Sequence, residues 1–340
     1  MPRIDFDAVV HSVFQSALNL RLHNSDHLLT LTSSEADLPQ GIRVDTPDGF
    51  TFENFHVGEQ VTCRDENLRL DSLTVDLRRA RHWQCDLPAL EADTTSPAFS
   101  TAWNFVWDAL NERQKLSDSE ILAEEILRSC HCEKPRRLSN ERSEYIETSG
   151  DDREACRRRA ISSQRHFYSY KINEAMRDLV HATQQHKLND SSAIKSMIGL
   201  GSGLTPSGDD LLVGYMAGLW CAVSDNKERW QFISELGEAV IHHSQQTNDI
   251  SCTYLYHAAH GQVSSRLENL AEVICNGKDS EQLIKIAEAA MQSGHTSGMD
   301  SVTGLLTGLT AWDGGHLHHE FWHAQLPGHD RFIRGGQVRL

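Results

Sequence analysis

Hydrophobic and polar residues alternate in short runs over about the first 90 residues of the chain. Six such runs occupy residues 8–14, 17–22, 27–32, 57–63, 67–70 and 72–77. Turn-forming residues separate them, for example Asp45-Thr46-Pro47-Asp48-Gly49. Alternation with a period of two is typical of half-buried strands, and many short strands joined by tight turns favour a small barrel or a curled sheet.

From about residue 99 the spacing of the apolar residues becomes helical. Helices are predicted in residues 101–110, 117–127, 167–185, 211–219, 228–243, 249–257, 267–275 and 281–291. Between them, residues 133–163 are dense in Arg, Glu, Asp and Ser, which predicts a mobile insertion. The sequence therefore predicts an α+β protein, with a β-rich, barrel-like domain over residues 1–90 and a larger, mainly helical domain over residues 99–340.

One of these helices follows a run of closely spaced glycines. Residues 199–210 have the sequence GLGSGLTPSGDD, and glycine permits backbone conformations that a Cβ forbids. Ser207, followed three residues later by Asp210, is similar to a capping box at a helix start. Gly214 and Gly218 then lie one turn apart, where they would let another backbone approach closely.

The same pattern recurs near the end of the chain, where residues 296–309 align without gaps on residues 206–219. The matched pairs are Ser207 with Ser297, Gly208 with Gly298, Asp210 with Asp300, Gly214 with Gly304 and Gly218 with Gly308. We infer two equivalent loop-to-helix units that pack through their glycines and open onto one pocket. The N-terminus of a helix suits a small anion, because its free N–H groups and the positive end of the helix dipole attract negative charge. The alternative is a pair of helix caps and packing glycines without a ligand.

The glycine-rich run does not match two better-known phosphate-binding motifs. No lysine follows the glycines in the order that a P-loop requires. The residues before Gly199 lack the strand pattern that precedes a dinucleotide-binding fingerprint.

The run GLGSGLTPSGDDLLVG at residues 199–214 and the run GHTSGMD at residues 294–300 resemble the AllH family. An opening at residues 11–20 extends this likeness over most of the chain. The named member of the family is a subunit of oxamate carbamoyltransferase in anaerobic allantoin breakdown. The resemblance implies purine catabolism by carbamoyl transfer between carbamoyl phosphate and oxamate, performed with two other carbamoyltransferase subunits. The alternative is a non-catalytic anion-binding or scaffold subunit whose partners perform the chemistry.

Under this hypothesis the two loops bind the anionic substrates. The expected ligands are Gly201, Ser202, Gly203, Thr205, Ser207, Gly208, Thr296, Ser297, Gly298 and Lys195. The catalytic candidates are His295, Asp209 and Asp210. His295 titrates near neutrality and suits proton transfer or carbonyl polarisation. The aspartates would repel anions if they were unpaired, so we expect them to cap a helix or to orient His295 or Lys195. The alternatives are a surface role for Lys195 and a structural role for His295.

The net charge of −16 argues against a protein that binds nucleic acids or membrane surfaces in general. No stretch is apolar enough to span a bilayer, and the first residues lack the apolar core of a signal peptide, which predicts a cytoplasmic protein. The eight cysteines show no framework spacing, so reduced thiols are expected. We expect no cofactor.

The tail contains a formal zinc-protease motif, His319-Glu320-Phe321-Trp322-His323. No methionine follows Met299, so the Met-turn of such enzymes is missing. The tail is also rich in histidine, which raises the odds of a chance match. We therefore predict no metal site, and a zinc hydrolase stays a minor alternative.

Overall fold

The computed structural model describes residues 5–117, 121–131, 153–277, 280–294 and 296–313. Its N-terminal part is one curled sheet that forms half of a barrel. The seven strands are β1 (Phe6–Val13), β2 (Ala17–Leu22), β3 (Leu28–Thr32), β4 (Gly41–Arg43), β5 (Gln60–Arg64), β6 (Asn67–Arg69) and β7 (Thr74–Asp76). Their order is β4-β3-β2-β1-β5-β6-β7. Only the β3–β4 pair is parallel among these strands.

The alternation in the sequence becomes alternation of burial most clearly in β5. Along β5, Val61 and Cys63 are buried, while Thr62 between them is exposed. The buried side chains pack with Phe52, which lies on a short 3-10 turn, to form the core of the sheet. Each of the six runs with this pattern overlaps one strand. The sequence did not predict β4, which lies outside all six runs.

The remaining chain is mainly helical. The helices are α1 (Pro97–Lys115), α2 (Ala123–His131), α3 (Arg153–Gln184), α4 (Ser192–Met197), α5 (Ser207–Cys221), α6 (Lys227–Ser244), α7 (Asp249–Ala259), α8 (Ser265–Asn276), α9 (Ser280–Met291) and α10 (Ser297–Ala311). The predicted α+β class, with a β-rich N-terminal part and a larger helical part, is confirmed. The domain limits at residues 90 and 99 stay a prediction.

The predicted insertion differs from the structure where the structure describes it. Residues 153–163 belong to α3 instead of a loop, and residues 133–152 lie outside the described ranges. The shortage of large apolar residues suggested a loop. However, arginine, glutamate and alanine, which are frequent here, are good helix formers.

Helices α5 and α10 lie at the centre of the helical part. Nearly all their residues are buried, and only Val213, Ser297 and Ser301 are partly exposed. Other helices bond directly to them: the Trp103 indole of α1 donates to the Leu306 carbonyl of α10 over 3.0 Å. The sequence predicted a single apolar stripe on α5. The helix is apolar on all sides instead, because it is enclosed by its neighbours.

The sheet docks on α7 and α8. The Leu28 N–H donates to Thr253 Oγ1 over 3.1 Å, and the Asp37 N–H donates to Ser265 Oγ over 2.9 Å. Arg21 forms an ion pair with Asp249 at the start of α7. Within the described ranges, no helix combines the length and the hydropathy needed to cross a membrane.

Candidate functional site

Two glycines bring the backbones of α5 and α10 into direct contact. A Cβ added to Gly214 would lie 1.9 Å from the Ser301 carbonyl oxygen, and one added to Gly304 would lie 2.1 Å from the Leu211 carbonyl oxygen. Real Cβ atoms do not approach backbone so closely. Each glycine therefore provides the space that the other helix occupies.

The same contact repeats one turn later. A Cβ on Gly218 would lie 2.5 Å from the Leu305 carbonyl oxygen, and one on Gly308 would lie 2.3 Å from the Tyr215 carbonyl oxygen. Residues further along α5 thus contact residues further along α10, so the two helices run parallel. Their N-termini consequently lie at the same end of the pair.

The two helix starts meet through hydroxyl groups. Thr205 Oγ1 and Ser297 Oγ are 2.6 Å apart, and both side chains are partly exposed. Thr296, the N-cap of α10, is also partly exposed. These three side chains form the described boundary between the two units, which we call the hydroxyl lip. The positive ends of both helix dipoles adjoin at this lip.

Three glycines with positive φ angles shape the loop before α5. Gly199, Gly201 and Gly203 have φ angles of +75°, +128° and +93°. A Cβ on Gly201 would lie 2.6 Å from the Ser207 nitrogen, so the loop folds back over the start of α5. The tip, with Ser202 and Gly203, is exposed.

Asp209 anchors this loop from inside. Its side chain is buried and accepts hydrogen bonds from the Gly199 N–H over 2.8 Å and from Thr247 Oγ1 over 2.6 Å. Burial raises the pKa of the Asp209 carboxyl, and these hydrogen bonds oppose the shift. These contacts tie the loop to Thr247; Asp209 does not cap α5, and no described contact joins it to Lys195.

Asp210 and Asp300 occupy equivalent, buried positions below the hydroxyl lip. Their exposed fractions are 8% and 0%. Burial, followed by the charge of Asp300, raises the pKa of the Asp210 carboxyl well above its usual value, and the nearby hydroxyls of Ser297 and Thr205 oppose the shift. The Asp210 Oδ2 has no hydrogen-bond partner among the described residues. The Tyr254 hydroxyl is close enough that burial and the Asp210 charge raise its pKa to about 12.

Ser207 and Asp210 do not form the expected capping box. Pro206 is the N-cap of α5, and no side chain caps this helix end. The Asp210 side chain lies near Ser297 of the second unit instead of bonding back to its own helix start.

Gly208 and Gly298 serve packing, which differs from the role expected for them. A Cβ on Gly208 would lie 2.2 Å from the Met197 carbonyl oxygen, and one on Gly298 would lie 2.4 Å from the Ala290 carbonyl oxygen. Their N–H groups already donate to the carbonyls of Leu200 and Ser293. A side chain at either glycine would therefore disturb the fold before it met a ligand. Ser207 is buried as well.

The charged candidates lie apart from the lip or outside the described residues. Lys195 is exposed on α4, and its charge is one of the causes, after burial and His242, that lower the pKa of His243. His295 and the HExxH motif of the tail are not among the described residues. In the ranges the structure covers, no cluster of three or more His, Cys, Asp or Glu side chains has a geometry that could hold a metal ion.

The sequence missed two contributors to the site. Thr247 bonds to Asp209, and Ser251 Oγ donates to the Leu204 carbonyl over 3.4 Å. Both lie near the start of α7, far along the chain from the glycine-rich loop, and no motif marks them. The sequence match pairs Asp300 with Asp210, and a second carboxyl close to Asp210 could have been deduced from it.

A half-barrel sheet followed by a helical part with a parallel pair of glycine-packed helices defines an α+β class of protein, and comparisons assign the family. The chain matches the oxamate carbamoyltransferase subunit AllH over residues 197–309 and the AllH family N-terminal domain over residues 3–82. The chain therefore belongs to the AllH family. Searches of curated proteins and of solved structures gave no significant match.

The buried Asp210 predicts a distinct pH dependence of stability. Its folded pKa lies above its unfolded value of about 3.9. The stability that it contributes below pH 4 is therefore lost as the pH rises through the folded pKa, at about 1.4 kcal/mol per pH unit. Denaturant unfolding between pH 4 and 8 should show the wild type losing stability relative to Asp210→Asn.

The control is Asp76, an exposed carboxyl whose pKa is shifted in the opposite direction. Arg78 holds the pKa of Asp76 at about 2, so Asp76→Asn and wild type should not diverge above pH 5. Stability curves of Asp210→Asn that run parallel to those of the wild type would show that Asp210 is ionised in the folded protein.

Proposed function

We propose that the chain is a subunit of an oxamate carbamoyltransferase that moves a carbamoyl group between carbamoyl phosphate and oxamate. The observation that carries this proposal, beside the family, is the junction of the two helix starts at the 2.6 Å contact of Thr205 and Ser297. Two helix N-termini side by side supply positive potential for anionic substrates in a chain of net charge −16.

The reaction requires orientation more than unusual chemistry. The amide nitrogen of oxamate attacks the carbamoyl carbon, the bond from that carbon to the phosphate oxygen breaks, and phosphate leaves with the electron pair. The attacking nitrogen loses one proton to a base. Oriented N–H and O–H donors stabilise the charge on the leaving phosphate.

The accessible lip residues are the proposed substrate ligands. Thr205, Thr296 and Ser297 lie at the two helix starts, and Ser202 and Gly203 form the exposed tip of the loop before α5. Ser207, Gly208 and Gly298 would support this surface from below, and Gly201 shapes the loop. Lys195 lies on the element that precedes the loop. His295 is the proposed proton acceptor, on the basis of its place in the second loop of the sequence.

The test uses the assembled complex. The chain should co-purify with two further carbamoyltransferase subunits, and the complex should release phosphate from carbamoyl phosphate in the presence of oxamate. His295→Ala should lower the turnover number of the complex by about 10²-fold or more, the usual contribution of a general base. His181→Ala, which changes an exposed histidine on α3, is the control.

The outcomes separate the two classes of function. Full turnover by the His295→Ala complex would contradict the catalytic role of this histidine. Substrate binding by the isolated chain, combined with normal turnover after substitutions throughout the hydroxyl lip, would identify a scaffold subunit. Failure of the complex to use oxamate would show that the acceptor is another compound.

A further inference from the structure

An arginine of α8 contacts the loop that precedes α10. The Arg266 Nη1 donates to Ser293 Oγ over 3.3 Å. The Ser293 carbonyl in turn accepts a hydrogen bond from the Gly298 N–H over 2.8 Å, at the start of α10. The next loop residue, Gly294, lies beside the lip, because a Cβ on it would be 3.3 Å from Ser297 Oγ. The guanidinium group is therefore held against the loop that leads directly to the hydroxyl lip.

The start of α8 fixes the backbone from which this side chain extends. The neighbouring Ser265 is bonded twice to the sheet: its N–H donates to the Asp37 carbonyl and its Oγ accepts from the Asp37 N–H, both over 2.9 Å. Leu267, on the other side of Arg266, is buried in the core of the helical part. A binding group that is carried by rigid elements is positioned more precisely than one on a free loop.

The charge of Arg266 is not neutralised by any described residue. Acidic residues outnumber basic ones by 48 to 32 in this chain, yet Arg266 forms no ion pair with an Asp or Glu of the described ranges. The side chain is partly exposed and belongs to the first turn of α8, where the helix dipole disfavours a positive charge. A cation in this place costs the helix free energy, which an anionic ligand would offset.

The open edge of the guanidinium group indicates the shape of that ligand. Nη1 is occupied by Ser293, and the side edge carries the N–H groups of Nε and Nη2, which point in parallel. No described residue bonds to this edge. Two parallel donors match the two oxygens of a planar carboxylate. We propose that Arg266 binds the carboxylate of the acceptor substrate through Nε and Nη2.

This proposal rests on the function proposed above and divides the site between the two substrates. The hydroxyl lip, with single donors at the two helix starts, takes the phosphate of carbamoyl phosphate, and Arg266 takes the carboxylate of oxamate. In oxamate only the amide carbon separates the attacking nitrogen from the carboxylate. Binding of the carboxylate beside α10 therefore also positions the nitrogen.

Oxamate and oxamide are the appropriate pair of probes, because they share a shape and only oxamate carries the carboxylate. Their affinities for the full-length chain would be measured by calorimetry at about pH 7.5. The wild type should bind oxamate at least about tenfold more tightly than oxamide, the effect of hydrogen bonds to a charged group. In Arg266→Gln this preference should fall to about threefold or less, while the affinity for oxamide should change little.

The controls separate binding from a structural role. A change that only disturbed the fold would lower the affinities for both probes alike. Arg69→Gln, which changes an exposed arginine on β6, should keep the preference of the wild type. Arg266→Lys keeps the test decisive if Arg266→Gln does not fold. It retains the charge without the parallel donors, so its preference should lie at least about threefold below that of the wild type.

The outcomes distinguish this inference from the proposed function. A wild-type preference that persists in Arg266→Gln or Arg266→Lys, or a wild type that does not prefer oxamate, would overturn the role of Arg266 and leave the proposed phosphate site at the lip intact. If the assembled complex does not carbamoylate oxamate although Arg266 determines the preference, the carboxylate site stands and the proposed reaction is wrong.

Discussion

Adding a single methyl group at Gly214 or Gly304 should destabilise the protein by about 3 kcal/mol or more, the upper end of the overpacking range. The new Cβ would lie 1.9 Å or 2.1 Å from a carbonyl oxygen of the facing helix. Neither backbone can yield by turning a side chain, so the whole helix must move. Because α5 and α10 are enclosed by other helices, that movement would disturb the centre of the helical part.

The matched control is Gly237→Ala, at a glycine inside α6. A Cβ there would lie 3.1 Å from the Ala259 carbonyl oxygen, which a small shift relieves. The gain in helix propensity, about 1 kcal/mol at most, offsets that shift. Guanidinium unfolding followed by circular dichroism measures all three variants. Equal stabilities for Gly214→Ala and Gly237→Ala would show that the central helices are further apart than described.

The glycine match predicted which helices would meet, because only a missing Cβ allows two backbones to touch. It did not distinguish packing glycines from ligand-facing glycines. Gly208 and Gly298 are matched in sequence as Gly214 and Gly304 are, yet they face the carbonyl groups of the preceding helices α4 and α9. Close approach of a backbone and close approach of an anion require the same absence of a side chain.

The strands of the sheet were predictable for a simple physical reason. Strand β5 buries one face only, so its side chains must alternate. The N-terminal half of α3 was not predictable in the same way. Its residues 153–163 are charged and small, and only their intrinsic helix propensity indicated a helix.

The sequence indicated that the two aspartates of α5 belong to the candidate site, but it did not indicate that their contacts differ. Asp209 and Asp210 are neighbours, yet one bonds to Gly199 and Thr247 and the other lies near Ser297 of the second unit. A rotation of about 100° between successive helical residues separates their directions. What each carboxyl meets depends on tertiary contacts that no local pattern encodes.

Removing either hydroxyl of the lip should weaken anion binding by at least tenfold. Thr205→Val and Ser297→Ala each remove one member of the hydroxyl pair that joins the two helix starts. A donor to a charged ligand contributes about 1.5–3 kcal/mol, which corresponds to about tenfold or more in affinity. Thr101→Val, which makes the same change at an exposed position on α1, should bind as the wild type does.

The most direct test of a single site shared by two units is a double-mutant cycle. Sulfate affinity at pH 5.5 would be measured for the wild type, Thr205→Val, Ser297→Ala and the double variant. If one anion depends on both hydroxyls, the double variant should bind no more than about threefold more weakly than the weaker single variant. The reason is that either single substitution already removes the contact between the two hydroxyls. Losses that simply multiply, or a normal affinity in either single variant, would contradict a site shared by the two helix starts.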